Sequence, residues 1–345
     1  MKILVAISGG IDSSTALFLL KNSGAIIEGV TLFLWNKKSH KRTCCSLEAV
    51  QRARKICFRY GIRHSILNLE KEFEEIIVKE NFISGYEKGI TPNPCAFCNR
   101  FFKFGILYEE MLKKNFDYLA TGHYARIEKE NGKYFIKKAK DKEKDQSYFL
   151  AMIYPHVIKK LLFPLGDLSK KEVLKIAQDE NLSFYYEESQ DLCFINGSIG
   201  EFLKEKLGEK EGEIHFGGRK IGIHNGFYNY TIGQRKGLNV SIGERLYVSE
   251  IDPQNNIVKV NFRNELMKKN IFVSKLNLFD KIKGEKKLMV KIRNLHKESA
   301  AKVKFYEDYA EVSFEVEQFA PTPGQIAAFY EDEILLGGGV IYEKR

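Results

Sequence analysis

The first reactive feature of this 345-residue chain is a short loop rich in glycine and serine, Ser8-Gly-Gly-Ile-Asp-Ser-Ser14. An apolar run, Ile3–Ile7, leads into the loop, and a helical pattern follows it. Gly9 and Gly10 let backbone N–H groups approach an anion closely, and the start of the next helix adds partial positive charge. Asp12 beside phosphates makes sense when a divalent cation lies between them. The loop predicts a phosphate site of neither the Walker nor the G-x-G-x-x-G type; the alternative is a plain strand–turn–helix.

Two cysteines three residues apart form the second feature, in the stretch Asn93-Pro-Cys-Ala-Phe-Cys98. Pro94 favours a helix start, so Cys98 is expected in a first helical turn, where the helix dipole favours the thiolate. A C-x-x-C pair is typical of half a zinc site or of a redox pair, and the sequence has no second pair to complete a structural zinc site. Cys193 is a further candidate thiol, although its position between Leu and Phe, taken alone, favours a small buried apolar residue.

Four apolar, β-rich runs alternate with amphipathic stretches over the first 120 residues. This alternation predicts an α/β fold with a doubly wound parallel sheet. The predicted strands are Ile3–Ile7, Ile26–Leu34, Ser65–Leu69 and Tyr118–Thr121. The predicted helices are Ser13–Asn22, Ser46–Tyr60, Glu70–Tyr86 and Asn99–Lys114. The Asn131-Gly132 turn predicts a hairpin within Arg126–Lys140, and the capping box Ser169-Lys-Lys-Glu172 predicts a helix start at Ser169.

The pattern changes near Gly208, beyond which short alternating strands and glycine turns replace long helices. We predict a catalytic domain over residues 1–207, a small β-rich domain over 208–263 and a barrel-like β domain over 264–345. No apolar run approaches the roughly 20 residues of a membrane-spanning helix. The start of the chain is typical of a first strand and not of a signal peptide, so we expect a cytoplasmic protein. Six cysteines are too few for a disulfide scaffold.

The charge of the chain, 55 basic against 45 acidic residues and +10 net, permits a nucleic-acid partner without requiring one. Within the last predicted domain, the basic and acidic residues are unevenly distributed along the sequence. Lys268–Lys304 contains twelve basic and three acidic residues, whereas Phe305–Glu343 contains nine acidic residues and no Lys or Arg. The basic segment is either a solvated sheet face or a strip directed at a polyanion.

Taken together, these motifs resemble the bacterial tRNA-specific 2-thiouridylases of the MnmA type, within the PP-loop ATP pyrophosphatase superfamily. The matching stretches follow the family order over nearly the whole chain. They are Ser8–Ser14, Thr91–Phe104, Ala120–Arg126, Lys144–Leu150, Leu162–Gly166, Ser189–Ile195, Tyr230–Leu238, Thr322–Gln325 and Leu336–Val340. The resemblance implies an enzyme that uses ATP to 2-thiolate the anticodon wobble uridine of Lys, Glu and Gln tRNAs.

The resemblance also assigns roles to individual positions. Cys98 matches the first catalytic cysteine of the family, and Cys193 matches the second, which carries a persulfide. The positions that match the ATP site, with Mg²⁺ bound near Asp12, are Ala6, Ile7, Ser8, Gly9, Gly10, Ile11, Asp12, Ser13, Leu32 and Gly122. The positions that match contacts to the target base or the tRNA are Asn93, Pro94, Cys95, His123, Lys144, Asp145, Gln146, Arg293, Asn294 and Gln325. A sulfur-carrier protein or cysteine desulfurase is the expected persulfide donor, and a monomer is expected.

The implied chemistry suits these residue types. Adenylation of the uridine C2 oxygen makes AMP the leaving group, the Cys193 persulfide attacks C2, and Cys98 resolves the adduct by forming a Cys98–Cys193 disulfide. Cys95 stands where many members carry aspartate, which raises an iron–sulfur cluster on Cys95, Cys98 and Cys193 as a minority alternative. Asn294 replaces the usual aromatic residue, which weakens that expected RNA contact. Alternative functions are a PP-loop ligase acting on a small molecule and an RNA-binding module that has lost catalysis.

Overall fold

The computed structural model describes residues 1–35, 47–182, 192–195 and 197–343, which form two compact units. The first unit comprises Met1–Ile77, Cys95–Asn196 and Tyr330–Gly337. The second comprises Val78–Pro94, Gly197–Phe329 and Gly338–Arg345. Cys44, Cys45 and motif residues 189–191 lie outside the described ranges. The predicted three-domain division of the chain stays a proposal.

A parallel sheet forms the centre of the first unit. The strands of this unit are β1 (Lys2–Ala6), β2 (Ile26–Phe33), β3 (Arg63–Asn68), β4 (Tyr118–Ala120), the hairpin β5 (Ala125–Glu130) and β6 (Lys133–Lys138), and β7 (Leu161–Leu162). The sheet has the order β3-β2-β1-β4-β7 with parallel pairing throughout. Ile3, Leu4 and Val5 of β1 are fully buried, as expected of a central strand covered on both faces. The predicted α/β class is confirmed.

The helices agree with the sequence pattern in position but not always in type. They are α1 (Ile11–Lys21), α2 (Leu47–Arg59), α3 (Glu70–Phe73), α4 (Ser84–Glu87), α5 (Pro94–Cys98), α6 (Leu107–Lys113), α7 (Lys170–Asp179) and α8 (Ile199–Leu207). A π-helix, Glu74–Ile83, joins α3 to α4, and a second, Asn99–Ile106, joins α5 to α6. The predicted helices over 70–86 and 99–114 are therefore present, but the middle of the first and the first half of the second are π-helix. Glycine suits the second π turn, because a Cβ at Gly105 would lie 2.8 Å from the Arg100 carbonyl oxygen.

Two local predictions are confirmed. The β5–β6 hairpin pairs Glu130 with Lys133 across a two-residue turn, in which Asn131 and Gly132 have φ values of 49° and 80°. The Ser169 side chain accepts a hydrogen bond from the Glu172 backbone N–H at 3.3 Å, and the Glu172 carboxylate accepts one from the Ser169 N–H at 2.7 Å. This capping box fixes the start of α7 at Lys170.

The second unit is rich in β structure. Its first sheet, ordered β10-β11-β8-β9, consists of β8 (Gly212–Phe216), β9 (Arg219–His224), β10 (Tyr247–Asp252) and β11 (Ile257–Asn261). The remaining strands are β12 (Met267–Leu278), β13 (Gly284–Lys291), β14 (Ser299–Phe305), β15 (Tyr309–Phe319), β16 (Ile326–Glu331) and β17 (Ile334–Tyr342). These six pair in the order β12-β15-β14-β13-β16-β17, and a β12–β17 pairing closes the barrel.

The tip of the β16–β17 hairpin belongs to the first unit. There Ile334 and Leu335 pair with Lys137 and Ile136 of β6.

Across the described ranges, no helix combines the length and the apolar character that a membrane crossing requires.

Candidate active site

The loop after β1 is held in shape by its own serine hydroxyls. The Ser13 and Ser14 hydroxyls donate to the Gly10 carbonyl oxygen at 3.0 and 2.8 Å, and the Ser8 N–H donates to Ser13 Oγ at 3.1 Å. Gly9 has a φ of 73°, in the region that favours glycine. Helix α1 begins at Ile11, so the loop curls around the start of that helix. Such a concave run of backbone N–H groups is suited to an anion.

The strand order places this loop at the natural ligand position of the sheet. Chain order runs outward from β1 through β2 to β3, whereas β4 lies on the other side of β1. In open α/β sheets, ligands bind beyond the carboxyl ends of the strands where the order reverses. The loops after β1 and β4 flank that crevice, and they carry Ser8–Ser13 and Gly122, respectively. Leu32, on the adjacent strand β2, is 9% exposed.

Gly122 packs directly against the phosphate loop. A Cβ at this position would lie 2.8 Å from the Ser13 backbone N and 2.9 Å from the Asp12 carbonyl carbon. Real Cβ atoms essentially never approach backbone so closely, so any larger residue must displace the loop. A similar restriction acts at Gly9, whose Cβ would lie 2.5 Å from the Ala49 carbonyl oxygen. The glycines therefore fix the loop from two sides.

The Asp12 carboxylate has two partners that the sequence motifs do not reveal. Lys170 Nζ lies 2.6 Å from Asp12 Oδ1, and the Tyr124 hydroxyl donates to the same oxygen at 2.8 Å. Lys170 is the first residue of α7, and its backbone N–H donates to Asp141 Oδ2 at 2.8 Å. The capping box that starts α7 therefore also places the Lys170 ammonium beside the loop. The capping-box signal in the sequence marks this helix start, but it does not indicate the ion pair.

The loop has a group suited to Mg²⁺. Both hydrogen bonds to Asp12 fall on Oδ1, and Oδ2 accepts none from the residues that the structure describes. Mg²⁺ is commonly held by one or two carboxylates together with substrate phosphates. Asp12 Oδ2 therefore fits a Mg²⁺ ion that accompanies a nucleotide, and the ion would neutralise phosphate charge there.

The segment that carries Cys98 combines α5 with the π-helix that follows it. Helix α5 starts at Pro94, as the sequence indicated, and Cys95 and Cys98 are both partly exposed. The Arg100 guanidinium donates to the Met152 carbonyl oxygen at 2.6 Å and stacks 4.3 Å over the Tyr154 ring. These contacts fasten the helix turn just after Cys98. Irregular π turns of this kind are frequent at functional sites.

Cys193 lies in a tight turn and is itself partly exposed. The Ile195 N–H donates to the Leu192 carbonyl oxygen at 3.2 Å, which makes Cys193 and Phe194 the two central residues of the turn. Phe194 is only 4% exposed, so the turn directs the ring inward, whereas Cys193 is partly exposed. The alternative of Cys193 as a small buried apolar residue does not fit this position. Cys57, by contrast, is fully buried, and burial raises the pKa of its thiol to about 12.

The structure does not gather the three candidate cluster ligands. Over the described parts of the chain, no three His, Cys, Asp or Glu side chains stand together in a group that could hold a metal ion. Cys95, Cys98 and Cys193 lie within those parts, and none of them is joined in a disulfide there. An iron–sulfur cluster would therefore require these thiols to be rearranged.

His123 is enclosed beside the β4 loop. Its side chain is 8% exposed, Nδ1 lies 2.7 Å from Thr121 Oγ1, and the rings of Phe104 and Phe163 lie 5.6 and 5.8 Å away. Burial, with a smaller contribution from the Lys103 charge, holds the pKa of His123 well below 6.5. The imidazole is therefore neutral at physiological pH, and it is a weaker base than an exposed histidine.

Several predicted tRNA-contacting side chains make internal hydrogen bonds. Asp145 accepts from the Ser147 hydroxyl at 2.8 Å and from the Ala139 N–H at 2.9 Å, and Gln146 Oε1 accepts from the Tyr124 N–H at 3.0 Å. In this structure these side chains shape the segment that leads to the 3₁₀ turn Ser147–Leu150. Lys144 lies in the same segment and is partly exposed. Direct RNA contact by these residues stays a prediction.

In the second unit, too, predicted tRNA-contacting side chains make internal hydrogen bonds. Gln325 Nε2 donates to the Thr91 and Pro92 carbonyl oxygens at 3.0 and 3.1 Å, and thereby holds the segment that precedes Asn93. Asn93 is 7% exposed, and the adjoining Pro94 is also buried. Arg293 Nη2 donates to the Ile232 and Ala320 carbonyl oxygens, both at 2.9 Å, and also bonds the Thr322 hydroxyl. The neighbouring Asn294 is partly exposed.

Strand pairing mixes the charges that are separated along the sequence. Lys304 faces Glu311 across β14 and β15 and faces Glu285 across β13 and β14. The Lys302 ammonium lies 2.8 Å from the Glu285 carboxylate. The segment 268–304 is therefore interrupted by carboxylates on the barrel surface, and its concentration of positive charge is lower than the sequence indicated.

Comparison with known proteins agrees with this architecture. Residues 1–197 match the family described as tRNA methyl transferase HUP domain, residues 200–261 its PRC-barrel domain, and residues 268–341 the aminomethyltransferase beta-barrel domain. The chain is 39% identical to the tRNA-specific 2-thiouridylase MnmA of Caldicellulosiruptor saccharolyticus, over 99% of this chain and 98% of that protein. It is 41% identical to MnmA 1 of Caldanaerobacter subterraneus (99% and 98%) and to MnmA of Thermotoga petrophila (99% and 99%).

The fold and site thus define an α/β enzyme of the HUP type with β-rich domains attached. The chain belongs to the family of tRNA-specific 2-thiouridylases called MnmA.

Proposed function

We propose that this enzyme 2-thiolates the anticodon wobble uridine of Lys, Glu and Gln tRNAs, using ATP and a persulfide. The observation that carries the proposal is the glycine-clamped phosphate loop at the strand-order reversal of the sheet, within a chain whose relatives are named for this activity. Cys98 and Cys193, both partly exposed and in the same unit, support it. We further propose a cytoplasmic monomer that receives sulfur from a carrier protein or a cysteine desulfurase.

The phosphate loop supports the activation step. The uridine O2 attacks the α-phosphate of ATP, and pyrophosphate leaves. The loop Ser8–Ser13 would bind the phosphates through the backbone N–H groups after Ser8, and the Lys170 ammonium would offset negative charge next to Asp12. The product is an adenylated uridine whose C2 carries a good leaving group.

The two partly exposed cysteines, Cys98 and Cys193, support the sulfur step. The terminal sulfur of the Cys193 persulfide attacks C2, and AMP leaves with the former carbonyl oxygen. The Cys98 thiolate then attacks Cys193 Sγ and breaks the bond between the two persulfide sulfurs, so that one sulfur stays on C2. The two cysteines end as a disulfide, and an external dithiol must reduce it before the next turnover.

Lys170 gives a direct test of the loop assignment. We expect Lys170→Met to raise the KM for ATP about tenfold, because the uncompensated Asp12 charge would repel the triphosphate. Lys171→Met, at the next and exposed position of α7, is the matched control and should keep the parent KM. The rate of pyrophosphate release at varied ATP concentration gives the KM of each variant. Equal KM values for the two variants would contradict the role given to Lys170.

The decisive experiment is mass analysis of tRNA nucleosides after reaction. The protein is incubated with ATP, Mg²⁺, a persulfide donor and unmodified tRNA transcript, and we expect 2-thiouridine at the wobble position together with one AMP for each sulfur transferred. A small-molecule ligase would instead release pyrophosphate without tRNA, and a catalytically inactive RNA-binding module would bind tRNA without forming AMP. Either result would overturn the proposal.

A further inference from the structure

Four aromatic rings join the two thiol-bearing segments of the first unit. The Phe73 ring lies 5.4 Å from the Phe102 ring and 5.8 Å from the Phe194 ring, and Trp35 lies 6.1 Å from Phe194. The interplanar angles of these three pairs are 66°, 69° and 70°, the edge-to-face geometry that aromatic pairs prefer. We name Trp35, Phe73, Phe102 and Phe194 the aromatic clamp.

The members of the clamp come from separate parts of the chain. Trp35 follows the carboxyl end of β2, and Phe73 ends α3, which follows β3. Phe102 lies one helical turn after Cys98, and Phe194 follows Cys193 directly. Since the phosphate loop also follows a strand of this parallel sheet, the clamp lies at the same edge of the sheet as that loop.

The clamp is the buried anchor of the Cys193 turn. All four rings are nearly inaccessible, with exposures of 3% for Trp35, 1% for Phe73, 0% for Phe102 and 4% for Phe194. The turn itself is closed by the backbone hydrogen bond from the Ile195 N–H to the Leu192 carbonyl oxygen. One such bond fixes the shape of a turn but not its location, whereas a buried ring locked edge-to-face fixes both.

We propose that Phe194 is a positioning residue. Through its contact with Phe73, it holds Cys193 at a fixed position relative to the helix that bears Cys98. The proposal rests on the roles proposed above for these two cysteines. Phe73 touches both partner rings, so it transmits the position of the Cys98 helix to the Cys193 turn. The clamp thereby sets the frequency with which the two sulfur atoms meet, which governs resolution of the persulfide adduct.

The test measures disulfide formation without ATP or tRNA. Diamide oxidises Cys98 and Cys193 by taking up their two protons and two electrons as the S–S bond forms, and peptide mass mapping after alkylation follows that bond. We expect Phe194→Leu to slow its formation at least about tenfold, since the apolar volume is largely kept while the ring contacts are lost. Phe314→Leu, at a barrel position that is also only 1% exposed, is the matched control and should keep the parent rate.

A second variant separates positioning from a general loss of structure. Phe73→Leu should give a similar loss, and the double variant should be no slower than the slower single variant, because both changes break one connection. Additive losses, an unchanged rate in Phe194→Leu, or no Cys98–Cys193 bond in the parent would each overturn the proposal. The proposed function fails by a different result, absence of 2-thiouridine, which leaves the dependence of the disulfide rate on Phe194 intact.

Discussion

Replacing Cys193 by alanine is expected to lower the formation of 2-thiouridine by at least about 10³-fold, because in the proposed reaction Cys193 carries the sulfur to C2. ATP-dependent release of pyrophosphate should continue in this variant, since the phosphate loop is untouched. The two outputs, thiolated nucleoside by mass analysis and pyrophosphate by a coupled assay, therefore separate from one another. A variant that lacks only the nucleophile keeps pyrophosphate release, whereas a variant that has lost its fold loses both outputs.

Cys98→Ala should fail at a later point in the same reaction. With the resolving thiol absent, the tRNA stays bound to Cys193 through two sulfur atoms, and we expect a protein–tRNA adduct that dithiothreitol releases. Gel electrophoresis of labelled tRNA, with and without reductant, detects this adduct. An active Cys98→Ala variant that forms no adduct in the absence of reductant would contradict the assigned role.

Cys57→Ala is the matched control for both substitutions. The Cys57 thiol is buried, with a pKa raised to about 12, so it takes no part in thiolate chemistry near neutral pH. We expect this variant to thiolate tRNA at the parent rate once its lower melting temperature has been taken into account. Loss of activity at a temperature where the variant is folded would show that thiol removal alone does not identify the reacting cysteines.

Gly122→Ala is expected to lower ATP turnover about 100-fold, because a single methyl group there collides with the backbone of the phosphate loop. The added Cβ would lie 2.8 Å from the Ser13 N and 3.0 Å from the Ser13 Cα, and neither atom belongs to a flexible side chain. The loop must therefore move by a substantial part of an ångström, which misaligns the α-phosphate. Pyrophosphate release at saturating tRNA measures the loss.

Gly132→Ala supplies the control for Gly122→Ala. Gly132 lies at the tip of the β5–β6 hairpin with a φ of 80°, and a Cβ there meets nothing within 4 Å. The change should lower the free energy of unfolding by about 1 kcal/mol and leave ATP turnover unchanged. If both glycine variants lost turnover equally, the effect at Gly122 would be one of stability and not of loop geometry.

The sequence was most informative where local chemistry decides the structure. The phosphate loop, the Asn131-Gly132 hairpin and the capping box at Ser169 each depend on residues within a few positions of one another, and each is found as expected. The pairing of Lys170 with Asp12 spans 158 positions, and nothing near either residue indicates it. Contacts of that kind follow from how α7 packs against α1, which periodicity does not reveal.

Matched motifs say less about the polar residues within them. The structure shows Asp145, Gln146, Gln325 and Arg293 each bonded to its own chain, and their contact with tRNA stays a prediction. A motif identifies a position that matters without saying whether the side chain faces a ligand or supports a loop. The aromatic clamp presents a different case. Phe102 and Phe194 lie in two separate matched stretches and the other two rings lie in none, so only the fold brings the four together.

The hairpin tip Tyr330–Gly337 affects the order in which the chain folds on the ribosome. Ile334 and Leu335 complete the pairing of β6. Glu333 forms ion pairs with Lys142 and Arg126, and their hydrogen bonds lower the pKa of its carboxyl to about 2. None of these contacts exists until almost the entire chain has been synthesised. At bacterial elongation rates the nascent first unit waits on the order of ten seconds with one sheet edge unpaired. Nascent chains arrested before residue 330 should therefore engage chaperones that full-length chains release.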